Sequence, residues 1–287
     1  MNARQIALLV GLIVLIAGVA GAQTEWVEHP DNPAVPASDP EGWDAWRNPD
    51  TVMKVDGTYH LYFTGRVIDA PFGELNDIGH ATSSDGVEWT TDPANPVLTR
   101  GGDGEWDSET VMEAAVIHDG TEFRMWYAGN DGEVAGVGYA TSPDGTTWTK
   151  HTGNPIMGVG PAGSFDGGSI WPSTVLFDGQ MYRMWYTGVR NLGGFTWTIG
   201  YAESDDGLSW TRRPEPVVET GGGWESDFVY APLVLLDGPV HRMWYAGFGG
   251  SSIHIGYAES RDGVTWTKYF GNPVLVRDYR TCNPKVL

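Results

Sequence analysis

The sequence predicts an all-β chain folded as a β-propeller, and three observations lead there. A unit of about 60 residues recurs four times along the chain, which is the signature of a repeat architecture. The 287 residues include 14 Trp, 12 Tyr and 9 Phe beside 40 Gly and 18 Pro, a proportion of aromatics and turn formers that suits many short strands. No segment of the unit carries apolar positions at 3.6-residue spacing free of Gly and Pro, so repeated helices are excluded.

Each unit reads as four strands. Asp-Gly turns at Asp56-Gly57, Asp119-Gly120, Asp178-Gly179 and Asp237-Gly238 supply the positive-φ residues of a tight hairpin. An aromatic strand follows each turn: Tyr59 to Thr64, Phe123 to Ala128, Tyr182 to Thr187 and His241 to Ala246. These strands are bulky on both faces, as expected of a blade sandwiched between two neighbours in a radial array. A third strand ends in Ser-x-Asp-Gly-x-x-Trp at Ser83 to Trp89, Ser142 to Trp148, Ser204 to Trp210 and Ser260 to Trp266. The outer strand closes on Asn95-Pro96-Val97, Asn154-Pro155-Ile156, Glu215-Pro216-Val217 and Asn272-Pro273-Val274.

The two ends suggest a fifth blade. Trp26 to Val35 matches the outer strand Trp89 to Leu98, down to Asn32-Pro33, yet has no inner strands before it. Asn283 to Leu287 matches Asn48 to Val52, which opens the first inner strand. The expectation is therefore a five-bladed ring of four-stranded antiparallel blades closed by pairing the two ends. Its fifth blade is incomplete, as in a chain truncated at its C-terminus. Residues 23–287 form that domain. Before it, an apolar run from Ile6 to Val19 and the small residues Ala20-Gly21-Ala22 read as a secretory signal peptide over residues 1–22, which places the mature chain outside the cell or in a periplasm.

Charge narrows the partners. The formal net charge is −20 and the pI about 4.5, which disfavours nucleic acid or an anionic membrane and suits a neutral ligand such as a sugar. A single cysteine, Cys282, excludes an intramolecular disulfide, so the core alone must hold the fold.

The order Asn-Pro-x-x-Val, Asp-Gly, aromatic strand, Ile-Gly-x-Ala-x-Ser-x-Asp-Gly-x-x-Trp and Asn-Pro-Val-Leu resembles the five-bladed propeller glycosidases of families 43, 32 and 130, over roughly residues 24 to 287. The Ser-x-Asp-Gly-x-x-Trp element also resembles the Asp box of sialidases, a turn with no catalytic role. The resemblance implies a glycoside hydrolase acting through paired carboxylates. Family 43 carries its base Asp directly before the Pro of blade one, where this chain has Asn48, with Asp50 after Pro49; its acid Glu lies in blade three, where this chain has Trp171-Pro172. The Asn-Pro opening is closer to family 130, whose members include phosphorylases, and Arg47 and Arg66 are the cations near that opening.

The repeats serve as an internal control, because a residue present in every blade serves the blade. Asp85, Asp144, Asp206 and Asp262 recur and are assigned to turns; Asp44, Asp107, Asp166 and Glu225 recur after Trp43, Trp106, Phe165 and Trp224 and are assigned to the scaffold; Arg124, Arg183 and Arg242 recur and are expected to pair with such carboxylates. The non-repeating residues just ahead of or within the inner strands remain for chemistry. Asp50 is the expected base, Glu113 the acid with Glu109 as its rival, and Asp227 a modulator or sugar contact; Trp46, Arg47, Asn48, Glu109, Trp171 and Tyr230 are expected to bind substrate. Burial beside aromatic rings is expected to raise the pKa of one carboxylate while a neighbouring charge holds the other ionised. No cofactor is implied, and a Ca²⁺ ion in the axial channel stays open. The alternative to a secreted hydrolase is a non-catalytic propeller that binds glycans or another protein.

Overall fold

The computed structural model describes residue 35 and residues 41–67, 75–191 and 195–276. The signal segment over residues 1–22, and the strands assigned to a fifth blade except Val35, lie outside the described residues. What is described is four successive blades of a β-propeller, with one 3-10 turn at Gly223–Glu225 as the single helical element among the described residues.

Blade one comprises β1 (Trp46–Val55), β2 (Thr58–Arg66), β3 (Asn76–Ser83) and β4 (Thr90–Thr91). Blade two comprises β5 (Thr110–His118), β6 (Phe123–Asn130), β7 (Ala135–Ser142) and β8 (Thr149–Lys150), with β9 (Met157–Gly158) also on β7. Blade three comprises β10 (Ser169–Phe177), β11 (Tyr182–Arg190), β12 (Thr196–Ser204) and β13 (Thr211–Arg212). Blade four comprises β14 (Phe228–Asp237), β15 (Val240–Gly249), β16 (Ser252–Ser260) and β17 (Thr267–Lys268). Within each blade neighbouring strands are antiparallel. The outer strand is broken: after its two-residue start it returns to the sheet only near Leu98, Met157, Val218 or Leu275, beyond the Asn-Pro or Glu-Pro step.

Consecutive aromatics are buried because both faces of each blade are covered. Trp126 with Tyr127, and Trp185 with Tyr186, are fully buried. Their polar ends stitch each blade to the next one's Asp-Gly turn. Tyr62 Oη donates to Gly145 O (2.9 Å), Trp126 Nε1 to Gly207 O (2.7 Å) and Trp185 Nε1 to Gly263 O (2.8 Å).

The recurring polar residues are scaffold, as expected. Each turn aspartate accepts from two following backbone N–H groups and the preceding Ser, as Asp144 does from Thr146, Thr147 and Ser142. These donors hold the four carboxyls below the usual range, with Asp206 at about 2. In blades two to four the second acidic series joins a tyrosine hydroxyl to a cation on the outer strand: Asp107 with Tyr127 and Lys150, Asp166 with Tyr186 and Arg212, Glu225 with Tyr245 and Lys268. Arg124, Arg183 and Arg242 do pair with carboxylates, though with those of their own Asp-Gly turns, Asp119, Asp178 and Asp237.

Candidate active site

The four inner strands converge: β1 packs on β5, β5 on β10 and β10 on β14, and β1 also reaches β10 across the axis. Each inner strand slips register against its partner at the same point, between Pro49 and Thr51, Met112 and Ala115, Pro172 and Thr174, and Tyr230 and Leu233. A β-bulge frees one residue from the ladder and re-aims its side chain, which is why bulges gather near active sites. The residues freed here include Asp50, Glu113, Ser173 and Ala231. Glu113 and Ala231 sit in the left-handed region (φ 55° and 49°), which L-residues other than Asn and Asp seldom adopt.

A threonine binds the first pair of bulges together. Thr64 Oγ1 accepts the Glu113 N–H (2.9 Å) and donates to Asp50 Oδ2 (2.8 Å), while the Ala114 N–H donates to the same carboxylate oxygen (3.1 Å). Asn48 Nδ2 donates to Glu113 Oε1 (3.1 Å). Blades three and four repeat the scaffold without the acids. Thr187 Oγ1 accepts the Ala231 N–H (3.0 Å), but Ser173 stands in the place of Asp50 and Ala231 in that of Glu113. Likewise Thr51 Oγ1 donates to Ala114 O as Thr174 Oγ1 does to Pro232 O. The protein thus contains its own control: the bulges fold without carboxylates, so Asp50 and Glu113 are additions to the frame.

Burial dominates the electrostatics of the pair. Asp50 is 9% exposed, and desolvation pushes its pKa well above the carboxylate range, with the Glu113 charge pushing further and the Ala114 and Thr64 donors opposing. Glu113 rises from 4.5 to about 7, again by desolvation, with the Asn48 hydrogen bond opposing. The expectation that a neighbouring charge would hold one carboxylate ionised is therefore corrected. Desolvation raises both pKa values, the charge beside Asp50 is another carboxylate that raises it further, and the two groups titrate as a pair that retains a proton near neutral pH.

Three buried polar atoms without hydrogen-bond partners among the described residues lie in a row along β1: Trp46 Nε1, Asn48 Oδ1 and Asp50 Oδ1. Since buried polar groups are nearly always paired, such a row sets this face of β1 apart from the scaffold. The Arg66 guanidinium covers the Trp46 ring at 4.1 Å. Trp171 and Tyr230 both meet Trp197 edge-on, at 4.9 and 5.2 Å between ring centres. Arg47, expected to contact substrate, is buried instead, its guanidinium bonded to Asp44 and 4.7 Å from the Phe63 ring centre. The reason is that blade one has Phe63 and Thr91 where the other blades have a tyrosine and an outer-strand cation, so Asp44 takes Arg47 as its counter-charge. Glu109 and Asp227 are exposed at the starts of blades two and four, their N–H groups bonded to Asn130 O and Phe248 O, and Asp227 accepts from Ser226 Oγ (3.0 Å). Neither is bonded to the Asp50–Glu113 pair. Thr64 was missed by the sequence reading, although its signal was present: the residue before the second-strand glycine alternates as Thr64, Ala128, Thr187 and Ala246. Among the described residues no group of three or more His, Cys, Asp and Glu side chains is placed to hold a metal ion.

Comparison with known proteins agrees with the fold. A Mycobacterium tuberculosis (strain ATCC 25618 / H37Rv) protein, "Uncharacterized protein Rv1502", is 30% identical over 185 residues, covering 61% of this chain and 60% of its own length. The chain thus spans less than two thirds of that relative. The beta-1,2-mannobiose phosphorylase of Thermoanaerobacter sp. (strain X514) is 27% identical over 129 residues, 40% of this chain and 42% of the enzyme. Among solved structures, the family 117 glycoside hydrolase Zg3597 of Zobellia galactanivorans superposes with a TM-score of 0.65 at 17% identity, covering 82% of this chain and 72% of that one, a likeness of fold. Residues 40–226 match the family described as "Glycosyl hydrolases family 32 N-terminal domain", and with well over half its length covered by that match the chain belongs to this propeller glycosidase family.

Proposed function

We propose that the protein is an exported glycoside hydrolase that cleaves an oligo- or polysaccharide with the pair Asp50 and Glu113. The observation that carries this reading is the pair itself: a buried and a half-buried carboxylate on matching bulges, absent from the otherwise equivalent bulges of blades three and four. In the free protein the shared proton rests on Asp50, whose pKa burial and then the Glu113 charge push up. In this reading it passes to Glu113, the more exposed of the two, once a sugar is bound, and Glu113 gives it to the glycosidic oxygen as the C–O bond breaks. Asp50 is the base. Its Oδ2 anion is held by Thr64 Oγ1 and Ala114 N, and its bare Oδ1 takes the proton of the water that bonds to the anomeric carbon. Each turnover leaves the proton on Asp50, and exchange within the pair through solvent returns it to Glu113. Trp46 and Trp171 offer ring faces to a sugar, with Asn48, Tyr230 and Asp227 as polar contacts.

The test is hydrolysis of chromogenic fructosides, mannosides, arabinosides and xylosides in phosphate-free buffer. Turnover of at least one supports the reading. Turnover only after phosphate is added would instead make the protein a phosphorylase. Arg47, engaged with Asp44, argues against that outcome.

A further inference from the structure

Blade three departs from the repeat at two points, Phe165 and Glu215, which meet a further residue, Thr198, in one place. Trp43, Trp106 and Trp224 open the other blades, and the matching residue here is the smaller Phe165. In blades one and four that indole reaches two glycines of its blade; a Cβ at Gly79 or Gly256 would lie 2.8 or 2.7 Å from Trp43 or Trp224 Cη2. At the matching Gly200 the atoms nearest a Cβ are those of Tyr186, as they are those of Tyr127 at Gly138 of blade two, so the difference in blade three is the smaller ring of Phe165 itself. Second, Asn95, Asn154 and Asn272 fold back onto the third strand, each bonding both the N–H and the C=O of one residue, His80, Tyr139 or Tyr257. Glu215 takes that position in blade three and is exposed. The residue before the bridged strand position differs in every blade: Asp77 in blade one, whose carboxylate receives the Arg100 N–H (2.8 Å) and guanidinium (3.3 Å), Gly136 in blade two, Thr198 in blade three and His254 in blade four.

The result is an open cleft of about 460 Å³ lined by Phe165, Arg190, Thr198, Glu215, Glu219 and Thr220 among others. Thr198 is 6% exposed, and its Oγ1 is buried with no hydrogen-bond partner among the described residues. A buried hydroxyl facing a cleft without a partner is costly unless something bonds it. The cleft lies at the end of blade three where β11 passes to β12, the same end at which the inner strands begin, but outward from the axis and separate from Asp50 and Glu113.

We propose that this cleft is a second binding site, for a neutral polyhydroxylated ligand, namely one or two sugar units of a longer saccharide. The lining dictates the class. Arg190 supplies donors, Glu215 and Glu219 supply acceptors, Thr198 and Thr220 supply either, and the Phe165 ring supplies an apolar wall, which matches the alternating hydroxyls and C–H faces of a sugar. Two carboxylates against one guanidinium on a strongly acidic chain exclude an anionic ligand. The site needs no catalysis and stands whether or not the Asp50–Glu113 pair turns over substrate.

Phe165→Trp restores the residue used at this position in the other three blades and fills the cleft, so it is compatible with the fold. The full chain carrying Glu113→Gln, to prevent turnover, would be titrated calorimetrically with fructo-, manno-, arabino- and xylo-oligosaccharides of three to five units, with and without Phe165→Trp. The expected result is two sites per chain for at least one series, one of them weakened at least tenfold by Phe165→Trp and by Thr198→Val. In the chain with Glu113 intact, Phe165→Trp leaves hydrolysis of short chromogenic glycosides unchanged. A single site untouched by a folded Phe165→Trp, no binding by any series, or two sites untouched by that variant would each overturn the proposal. A failure of the hydrolase reading would appear separately, as absent turnover in the chain with Glu113 intact.

Discussion

Replacing Glu113 with Gln removes an ionisable carboxyl but keeps the acceptor that Asn48 Nδ2 uses. Its effect on stability can be worked from the burial of the pair. The native group titrates at about 7 against an ordinary 4.5, so between these values the folded chain binds more protons than the unfolded one. The stabilisation from the bound proton is therefore complete below about pH 4.5 and is lost as pH rises through about 7. At about 1.4 kcal/mol per pH unit the loss amounts to roughly 3 kcal/mol, an upper bound because Glu113 keeps some contact with water. Glu113→Gln does not suffer this loss, and it also relieves Asp50 of a like charge. Relative to the native chain, the variant should gain up to about 3 kcal/mol of stability between pH 4 and pH 8, read as urea midpoints at each pH. His60, half-buried and pushed down to about 4 by desolvation, acts in the opposite direction, since stability falls as pH drops from about 6.5 towards 4. It is common to both proteins and cancels in the difference. A difference that is flat with pH, or that shrinks towards pH 8, would refute the buried pair.

Thr64→Val removes the hydroxyl between the bulges and leaves the Glu113 N–H without its acceptor; we expect a stability cost of about 1–3 kcal/mol and an acid limb of the pH–rate profile shifted to higher pH, because Asp50 loses a donor. Thr187→Val, the same change at the acid-free bulges, should cost similar stability and leave the pH–rate profile in place. Trp126→Phe breaks the bond to Gly207 O and leaves space between blades two and three, so thermal and urea unfolding should show a loss of about 2–3 kcal/mol. Gly247→Ala would set a Cβ 2.2 Å from Trp224 Cζ3; overpacking should cost about 1–3 kcal/mol, seen as a lowered urea midpoint.

The blades were legible because their determinants are local. Asp-Gly turns, Ser-x-Asp-Gly-x-x-Trp turns and paired aromatics act within a few residues of one another, so their recurrence exposes them. Asp50 and Glu113 stood out for the converse reason, as carboxylates with no counterpart in blades three and four. The role of Arg47 was not legible, because it depends on blade one lacking both the tyrosine and the outer-strand cation that Asp107 uses in blade two. Nor were the bulges, which are defined by register against a partner strand. The like-charge coupling of Asp50 to Glu113 spans 63 residues of chain and follows only from the two bulges facing one another through Thr64.

The central claim is that this pair does the chemistry, and the most direct measurement compares hydrolysis of the same chromogenic glycosides by the native chain, Asp50→Asn and Glu113→Gln, with melting curves for all three. The account predicts turnover by the native chain, a fall of about 10³-fold or more in kcat for each variant, and folded variants whose melting temperatures are not lowered, since Ser173 and Ala231 show that the bulges form without acids. Hydrolysis at the native rate by both folded variants, or by neither variant nor the native chain, would contradict it.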